Sequence, residues 1–168
     1  LSIGEIVLAT NANDVLPRYF AGGDYAPDAT RATLANAMDV GAPSNLERLR
    51  FLYPDKKIHQ AIVKVESVGD DEIRRAIPVT LDKYGEIVCP HTACGMVALE
   101  RLRDTGDQRD WCVVATAHPA KFETVVEPLI QQSITVPEPL QKLLDRPAHA
   151  DLLQPEPEAL KSTLEKTV

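Results

Sequence analysis

The sequence predicts an α/β fold: a parallel sheet with flanking helices, followed by a helical C-terminal tail. Three observations predict it. The run Trp111-Cys112-Val113-Val114-Ala115 is apolar at every position, as suits a strand covered on both faces. A strand-like stretch, a few polar residues and a helical pattern recur in that order at Thr10 to Asp14, at Pro90-His91-Thr92 and at Thr116-Ala117-His118. From Thr135 onward the chain turns polar and proline-rich, with only short helical patterns. Parallel β-α units bring such junctions to one edge of a sheet, the edge where ligands bind.

Length and composition narrow the class. The 168 residues can enclose one sizeable core, and 44% hydrophobic with 26% charged residues is ordinary for a globular protein. A net charge of −7 disfavours nucleic acid or an anionic membrane as the main partner. No apolar run approaches the roughly 20 residues that span a bilayer. Cys89, Cys94 and Cys112 are too few for a disulfide scaffold, so a reducing, cytoplasmic setting is expected. The chain opens without Met and enters the buried type of strand Glu5 to Ala9 almost at once. We therefore read Leu1 as an internal cut in a longer protein, in preference to a processed N-terminus.

In chain order, Ile6 to Ala9 is the first strand, and Asn13 or Asp14 caps a helix through Val15, Leu16, Tyr19 and Phe20. Pro17 is early enough in that helix to be tolerated, and Gly22-Gly23 closes it. Asp24 to Pro43 lacks periodicity and reads as a functional loop or a pair of short elements. Ser44 with Glu47 forms a capping box for a helix whose apolar face is Leu46, Leu49, Phe51, Leu52 and Tyr53, stopped by Pro54. Lys56 to Val68 reads as a weaker helix through Ile58, Ala61, Ile62 and Val65. Asp70-Asp71-Glu72 opens a short helix that leads into Val79-Thr80-Leu81 and a turn at Tyr84-Gly85. Glu86 to Cys89 is a short strand, and His91 or Thr92 caps a helix from Ala93 to Arg103 that Gly106 ends. The strand Trp111 to Ala115 follows. Pro119 suits the first position of the next helix, which carries Phe122, Val125, Val126, Leu129 and Ile130 at core spacing. Two short helices, Glu138 to Leu144 and Glu156 to Thr167, complete the chain, so that residues 1–134 and 135–168 form two parts.

Several residue sets invite a chemical reading. Thr116 and His118 stand where a ligand-facing strand end would be, although a threonine there also suits a helix cap. Cys89-x-His91-x2-Cys94 has three of the four ligands that structural zinc requires, and Cys94 falls on an apolar helix face, so a buried hydrophobe is the better reading and no metal is assigned. Lys121 can attract an anion or simply pack at the surface. His59 and His149 receive no role.

Four segments together resemble threonine synthase of the type found in many bacteria and in fungi. They are Ala9 to Phe20 (ATNANDVLPRYF), Thr33 to Asp39 (TLANAMD) with Pro43 to Arg48 (PSNLER), Pro90 to Ala93 (PHTA), and Thr116 to Phe122 (TAHPAKF). The tail from Val136 onward is more loosely similar to that family's closing helices. The resemblance implies a tryptophan-synthase-β-like pyridoxal-phosphate fold, in which residues 1–134 are the C-terminal part of the catalytic domain. It implies a lyase that converts O-phosphohomoserine and water to threonine and phosphate. The family's Schiff-base lysine and its Gly/Asn-rich phosphate loop would lie upstream, because no Ser-x-Lys-Asp-like or Gly-Asn-Phe-Gly-like motif occurs in this sequence. The missing N-terminal part of the same enzyme is then a partner, and this segment alone would be inactive.

By the same resemblance Thr116 is the residue whose hydroxyl meets the cofactor's pyridine nitrogen. A neutral hydroxyl can bond that nitrogen without forcing its protonation. Asn11, Asn13, Asp14, Asn36, Asp39, Asn45 and Arg48 belong to matched motifs without individual roles. Among them Asn11, Asn13, Asp14, Asn45 and Arg48, together with Lys121, are candidates for contact with the substrate. Arg48 or Lys121 suits the phosphate, a dianion that needs charge-assisted donors, and a structural salt bridge is the alternative for each. The competing reading from another class is a non-catalytic threonine-synthase-like module that binds a ligand or a protein. A relative of threonine dehydratase is a third, and the His118-Pro119-Ala120-Lys121-Phe122 signature argues against it.

Overall fold

The computed structural model describes residues 4–53, 62–144, 146, 147, 150 and 152–167. Two strands, β1 (Ile6–Thr10) and β2 (Ile62–Ser67), pair in parallel. Val7 lies opposite Lys64 and Thr10 opposite Ser67, with a register slip between Ile6 and Val7. β2 replaces the helix expected over Lys56 to Val68, of which residues 56–61 lie outside the described residues. Apolar and polar residues alternate from Val63 to Glu66, and β1 supplies a ladder for a β-branched stretch.

Helix α1 (Val15–Phe20) buries Val15. Asp14 occupies its N-cap position, yet the carboxylate makes no cap bond and pairs instead with Arg18 at 3.2 Å. Residues 24–43 are irregular apart from a 3₁₀ turn, Asn36–Met38. In α2 (Leu46–Leu52) the expected capping box does not form: Asn45 is the N-cap and no side chain caps the helix. Of the expected apolar face only Leu46 is buried, and Phe51 is 84% exposed. Phe51 and Leu52 stand five and six positions after Leu46, so at about 100° per residue they turn away from its face.

The short helix expected at Asp70 is the first half of α3 (Asp70–Tyr84), which continues through Pro78 and absorbs the stretch Val79 to Leu81. A proline inside a helix costs about 3 kcal/mol. Ile73, Ile77 and Thr80 are buried on one face of α3, and each isoleucine contributes roughly 1.5–3 kcal/mol, enough to offset the break. Glu72 accepts from the Gly69 N–H (3.1 Å) at one end, and Gly85, at φ +72°, closes the other with its N–H on the Leu81 carbonyl (2.8 Å).

Helix α4 (Pro90–Asp104) starts earlier than expected. Pro90 takes the first position, where a missing N–H costs nothing, and Cys89, not His91 or Thr92, is the cap. After residue 104 the chain is irregular until a 3₁₀ turn, Pro119–Phe122, runs into α5 (Glu123–Ile130). Val68, Ile73 and Ile77 pack with Ala35, Ala93, Cys94 and Val126 in one buried cluster.

The strands expected at Glu86 to Cys89 and at Trp111 to Ala115 have no ladder partners among the described residues. A parallel strand holds only between neighbours, and Val114 is 74% exposed. Residues 111–116 instead lie against α4, where a Cβ on Gly95 would come within 2.9 Å of Val113 Cγ1. The close approach needs a residue without a side chain.

The contacts divide the chain into Leu1–Thr135 and Val136–Val168. The second unit holds α6 (Glu138–Leu144) and α7 (Pro157–Thr167), the helices the sequence leads one to expect, with a Lys142–Glu138 ion pair at 2.6 Å along the first. No helix among the described residues is long and apolar enough to cross a membrane.

Candidate functional site

The first junction is organised by Asn11, which is fully buried. Its Oδ1 faces the Asn13 N–H at 2.9 Å, and an N–H can only donate, so the amide is oriented. Nδ2 then points at Asp39 Oδ1 (2.7 Å), Thr33 Oγ1 (2.8 Å) and the Ala35 carbonyl (3.1 Å). Asn13 adds Nδ2 to the Arg31 carbonyl (2.9 Å) and accepts the Arg31 N–H (2.8 Å). Asp39 also accepts the Thr33 N–H (3.0 Å) and hydroxyl (2.7 Å). These bonds strap the irregular stretch onto the end of β1.

The strap reaches the second junction through His91. The Ala37 N–H donates to His91 Nε2 at 2.9 Å, so the ring is neutral and its proton sits on Nδ1, 4.0 Å from Cys89 Sγ. Burial lowers the basicity of His91; the Asp39 carboxylate works against that, and the Lys121 ammonium adds to it. The ring also packs on Phe122, with centroids 4.8 Å apart, and so touches the third junction.

At the helix start, Cys89, Thr92 and Thr116 form a triangle. Thr92 Oγ1 lies 3.2 Å from Thr116 Oγ1 and accepts the Thr116 N–H at 3.1 Å. Cys89 Sγ lies 3.3 Å from Thr92 Oγ1 and 3.5 Å from Thr116 Oγ1, and accepts the Thr92 N–H as helix cap. Burial would raise the Cys89 thiol, but its thiolate form would be hydrogen-bonded by the Thr116 and Thr92 hydroxyls and by the Thr92 and His91 N–H groups, and this outweighs burial and holds the thiol below its ordinary value. Thr92 is buried, whereas Thr116 is exposed. The following turn is capped by His118, whose Nδ1 accepts the Ala120 N–H at 3.2 Å, so Thr116 is not needed as a cap.

The other expected residues are placed as follows. Asn11 and Asn13 spend their side chains on the strap. Asp14 is paired with Arg18, Asn36 starts the 3₁₀ turn, and Asn45 and Arg48 are exposed at the start of α2. Lys121 is exposed next to Phe122 and acts electrostatically on His91. Cys94 is buried with its thiol 3.6 Å from the Pro90 carbonyl, and burial, reinforced by Cys89, pushes it up to about 12. Among the described residues no group of three or more His, Cys, Asp or Glu is arranged to hold a metal ion.

Sequence reasoning missed the roles of Cys89, Thr92 and Thr33. The signal for the first two was present: a small side chain, then Pro90, then Thr92 at the third helical position is the spacing of an N-cap and its bonded N–H. The platform beneath them is held by Arg101, which binds Glu66, the Ser67 carbonyl (3.1 Å) and Glu72 (2.7 Å), tying α4 to β2 and α3.

Comparison with known proteins adds a family. A family model described as threonine synthase, C-terminal, matches residues 92–164. The chain is 33% identical to the threonine synthase of Buchnera aphidicola over 98% of its own length and 38% of that protein. Its structure is similar to the crystal structure of threonine synthase from Escherichia coli, with a TM-score of 0.80 and 30% identity over 100% of this chain and 39% of that one. It is also similar to the PLP-bound threonine synthase from Brucella melitensis, with a TM-score of 0.72 and 25% identity over 98% of this chain and 40% of that one. The chain thus spans little more than a third of the curated relative's length.

Proposed function

Because the chain belongs to the threonine synthase family, we propose that it supplies the part of a pyridoxal 5'-phosphate site that faces the cofactor's ring nitrogen, with the Thr116 hydroxyl as that nitrogen's partner. The whole protein, in this reading, converts O-phosphohomoserine and water to L-threonine and phosphate in the cytoplasm. The lysine that binds the cofactor's aldehyde belongs to the portion of the enzyme outside this segment.

One observation carries the reading: Thr116 presents an exposed hydroxyl at a junction edge while Thr92 grips the same residue from the buried side at two points. A pyridine nitrogen that is to stay unprotonated needs one uncharged hydrogen-bond partner. The groups bonded to Thr116 are a hydroxyl and a thiol, and no carboxylate is among them, so the residues fit. The bound cofactor supplies an electron sink for the substrate amino acid. Thr116, by offering a hydroxyl in place of a carboxylate, keeps that sink moderate. Arg48 and Lys121, both exposed cations, are the proposed donors to the substrate phosphate, with Asp14 and Asn45 as polar neighbours. Asn11 and Asn13 act through the strap that ties residues 31–39 to the end of β1.

Phosphate release from O-phosphohomoserine by the holoenzyme containing this chain tests the proposal. Thr116→Val keeps the shape and removes the hydroxyl, and should lower kcat about tenfold, the equivalent of one hydrogen bond. An unchanged kcat would refute the assignment of Thr116. No phosphate release at all from the unsubstituted, cofactor-loaded protein would favour the ligand-binding module over the enzyme.

A further inference from the structure

We propose that Thr92 is the positioning residue for the ring-nitrogen partner: it fixes the Thr116 side chain and turns that hydroxyl's proton outward, toward the cofactor. The inference rests on the reading of Thr116 given above and deepens it.

Thr92 Oγ1 accepts the Thr116 N–H at 3.1 Å, which sets where the Thr116 backbone lies. The same oxygen stands 3.2 Å from Thr116 Oγ1, so one buried hydroxyl holds both the main chain and the side chain of the exposed residue. Cys89 Sγ already receives the Thr92 N–H at 3.5 Å and faces the His91 Nδ1 proton at 4.0 Å. With the thiol protonated, its remaining role is to donate, and Thr92 Oγ1 at 3.3 Å is the nearer of its two oxygen neighbours. Thr92 Oγ1 then accepts two hydrogen bonds, and its own proton goes to Thr116 Oγ1. Two protons cover the Cys89–Thr92 and Thr92–Thr116 contacts. The third, on Thr116, is left to face out of the protein as a donor.

A hydroxyl held this way has lost its rotational freedom before any ligand arrives, and its dipole already points at the nitrogen's lone pair. Without the Thr92 hydroxyl, the Thr116 N–H loses its acceptor and Thr116 Oγ1 loses the partner that fixes its rotamer, so the hydroxyl is free to turn away from the nitrogen.

The test uses the holoenzyme reconstituted with pyridoxal phosphate labelled with ¹⁵N in the ring. The nitrogen resonance reports directly whether the base is free, hydrogen-bonded or protonated. In the unsubstituted enzyme it should show a hydrogen-bonded, unprotonated nitrogen. Thr92→Val should move the resonance downfield toward the free base, as Thr116→Val does, and Thr92→Ser should restore it. Thr92→Ala, which adds no bulk, gives the same reading if the valine variant does not fold. A resonance that Thr92→Val or Thr92→Ala leaves in place, while Thr116→Val moves it, overturns this proposal alone. A resonance that Thr116→Val does not move overturns the assignment of Thr116, and this proposal with it.

Discussion

Replacing Asn11 by aspartate is a severe test of the strap, because it changes hydrogen-bond polarity and almost no volume. The Asn11 amide has two protons, and its two shortest contacts are Asp39 Oδ1 at 2.7 Å and Thr33 Oγ1 at 2.8 Å. A carboxylate cannot donate either bond. The charge-assisted one is worth about 1.5–3 kcal/mol and the neutral one about 1 kcal/mol. The loss is therefore roughly 2.5–4 kcal/mol, before adding the repulsion of a new charge against Asp39, out of a typical total of about 5–15 kcal/mol. Asn11→Ala loses these bonds and also the two that Oδ1 accepts from Asn13, but it sets no charge against Asp39 and should cost less at about pH 7. Acid should narrow the difference. The new carboxyl, crowded against Asp39, would have a folded-state pKa above its unfolded value of about 3.9. A raised pKa means stability that is fully present below the unfolded value and is lost as pH rises through the folded value. The gap between the two variants should thus close as the pH falls toward about 4. Urea-unfolding midpoints measured across that range would show it. If Asn11→Asp is no less stable than Asn11→Ala at neutral pH, or if the gap widens in acid, the Asn11 amide does not donate to Asp39.

Two further outcomes are expected. Gly95→Ala gains about 1 kcal/mol of helix propensity, but its Cβ would lie 2.9 Å from Val113 Cγ1, on a stiff β-branched side chain, and overpacking costs about 1–3 kcal/mol; a lower Tm and weaker cofactor binding should follow, and a stabilised variant would mean that residues 111–116 do not pack on α4. His91 is held neutral by burial and by the Ala37 N–H, so its pKa is depressed, and its contribution to stability is present above the unfolded value of about 6.5 and lost as pH falls through the folded value. An NMR titration should find His91 below the ordinary histidine range and Lys121→Ala should raise it; a value at or above that range would contradict the neutral-acceptor assignment.

Local pattern carried much of the architecture. The apolar run of β1, the period of α1 and the short amphipathic stretches of α6 and α7 all name their own structure, because each repeats at the spacing of one element. The pattern was misleading where a neighbour decides. Residues 62–67 carry enough apolar spacing for a helix, but β1 offers a ladder and a strand results. Pro78 looks like a stop, yet the burial of Ile73 and Ile77 outweighs it. Residues 111–115 read as a covered strand, and no described strand lies beside them. The site followed the same division. Thr116 stood out through a motif, whereas Thr92, 24 positions away, became its partner only when the helix start folded under it.

The sequence by itself determined where polar residues interrupt the apolar pattern, at the junctions after Thr10, Cys89 and Ala115, and it displayed the family motif running from Thr116 to Phe122. Only the tertiary structure decided which of them meet. Covalent neighbours and helical period act over a few residues, so they can be read along the chain. The bonds from Asn11 to Asp39, from Ala37 to His91 and from Thr92 to Thr116 span 28, 54 and 24 positions, and such contacts exist only after the core of Val68, Ile73, Ile77 and Val126 has closed.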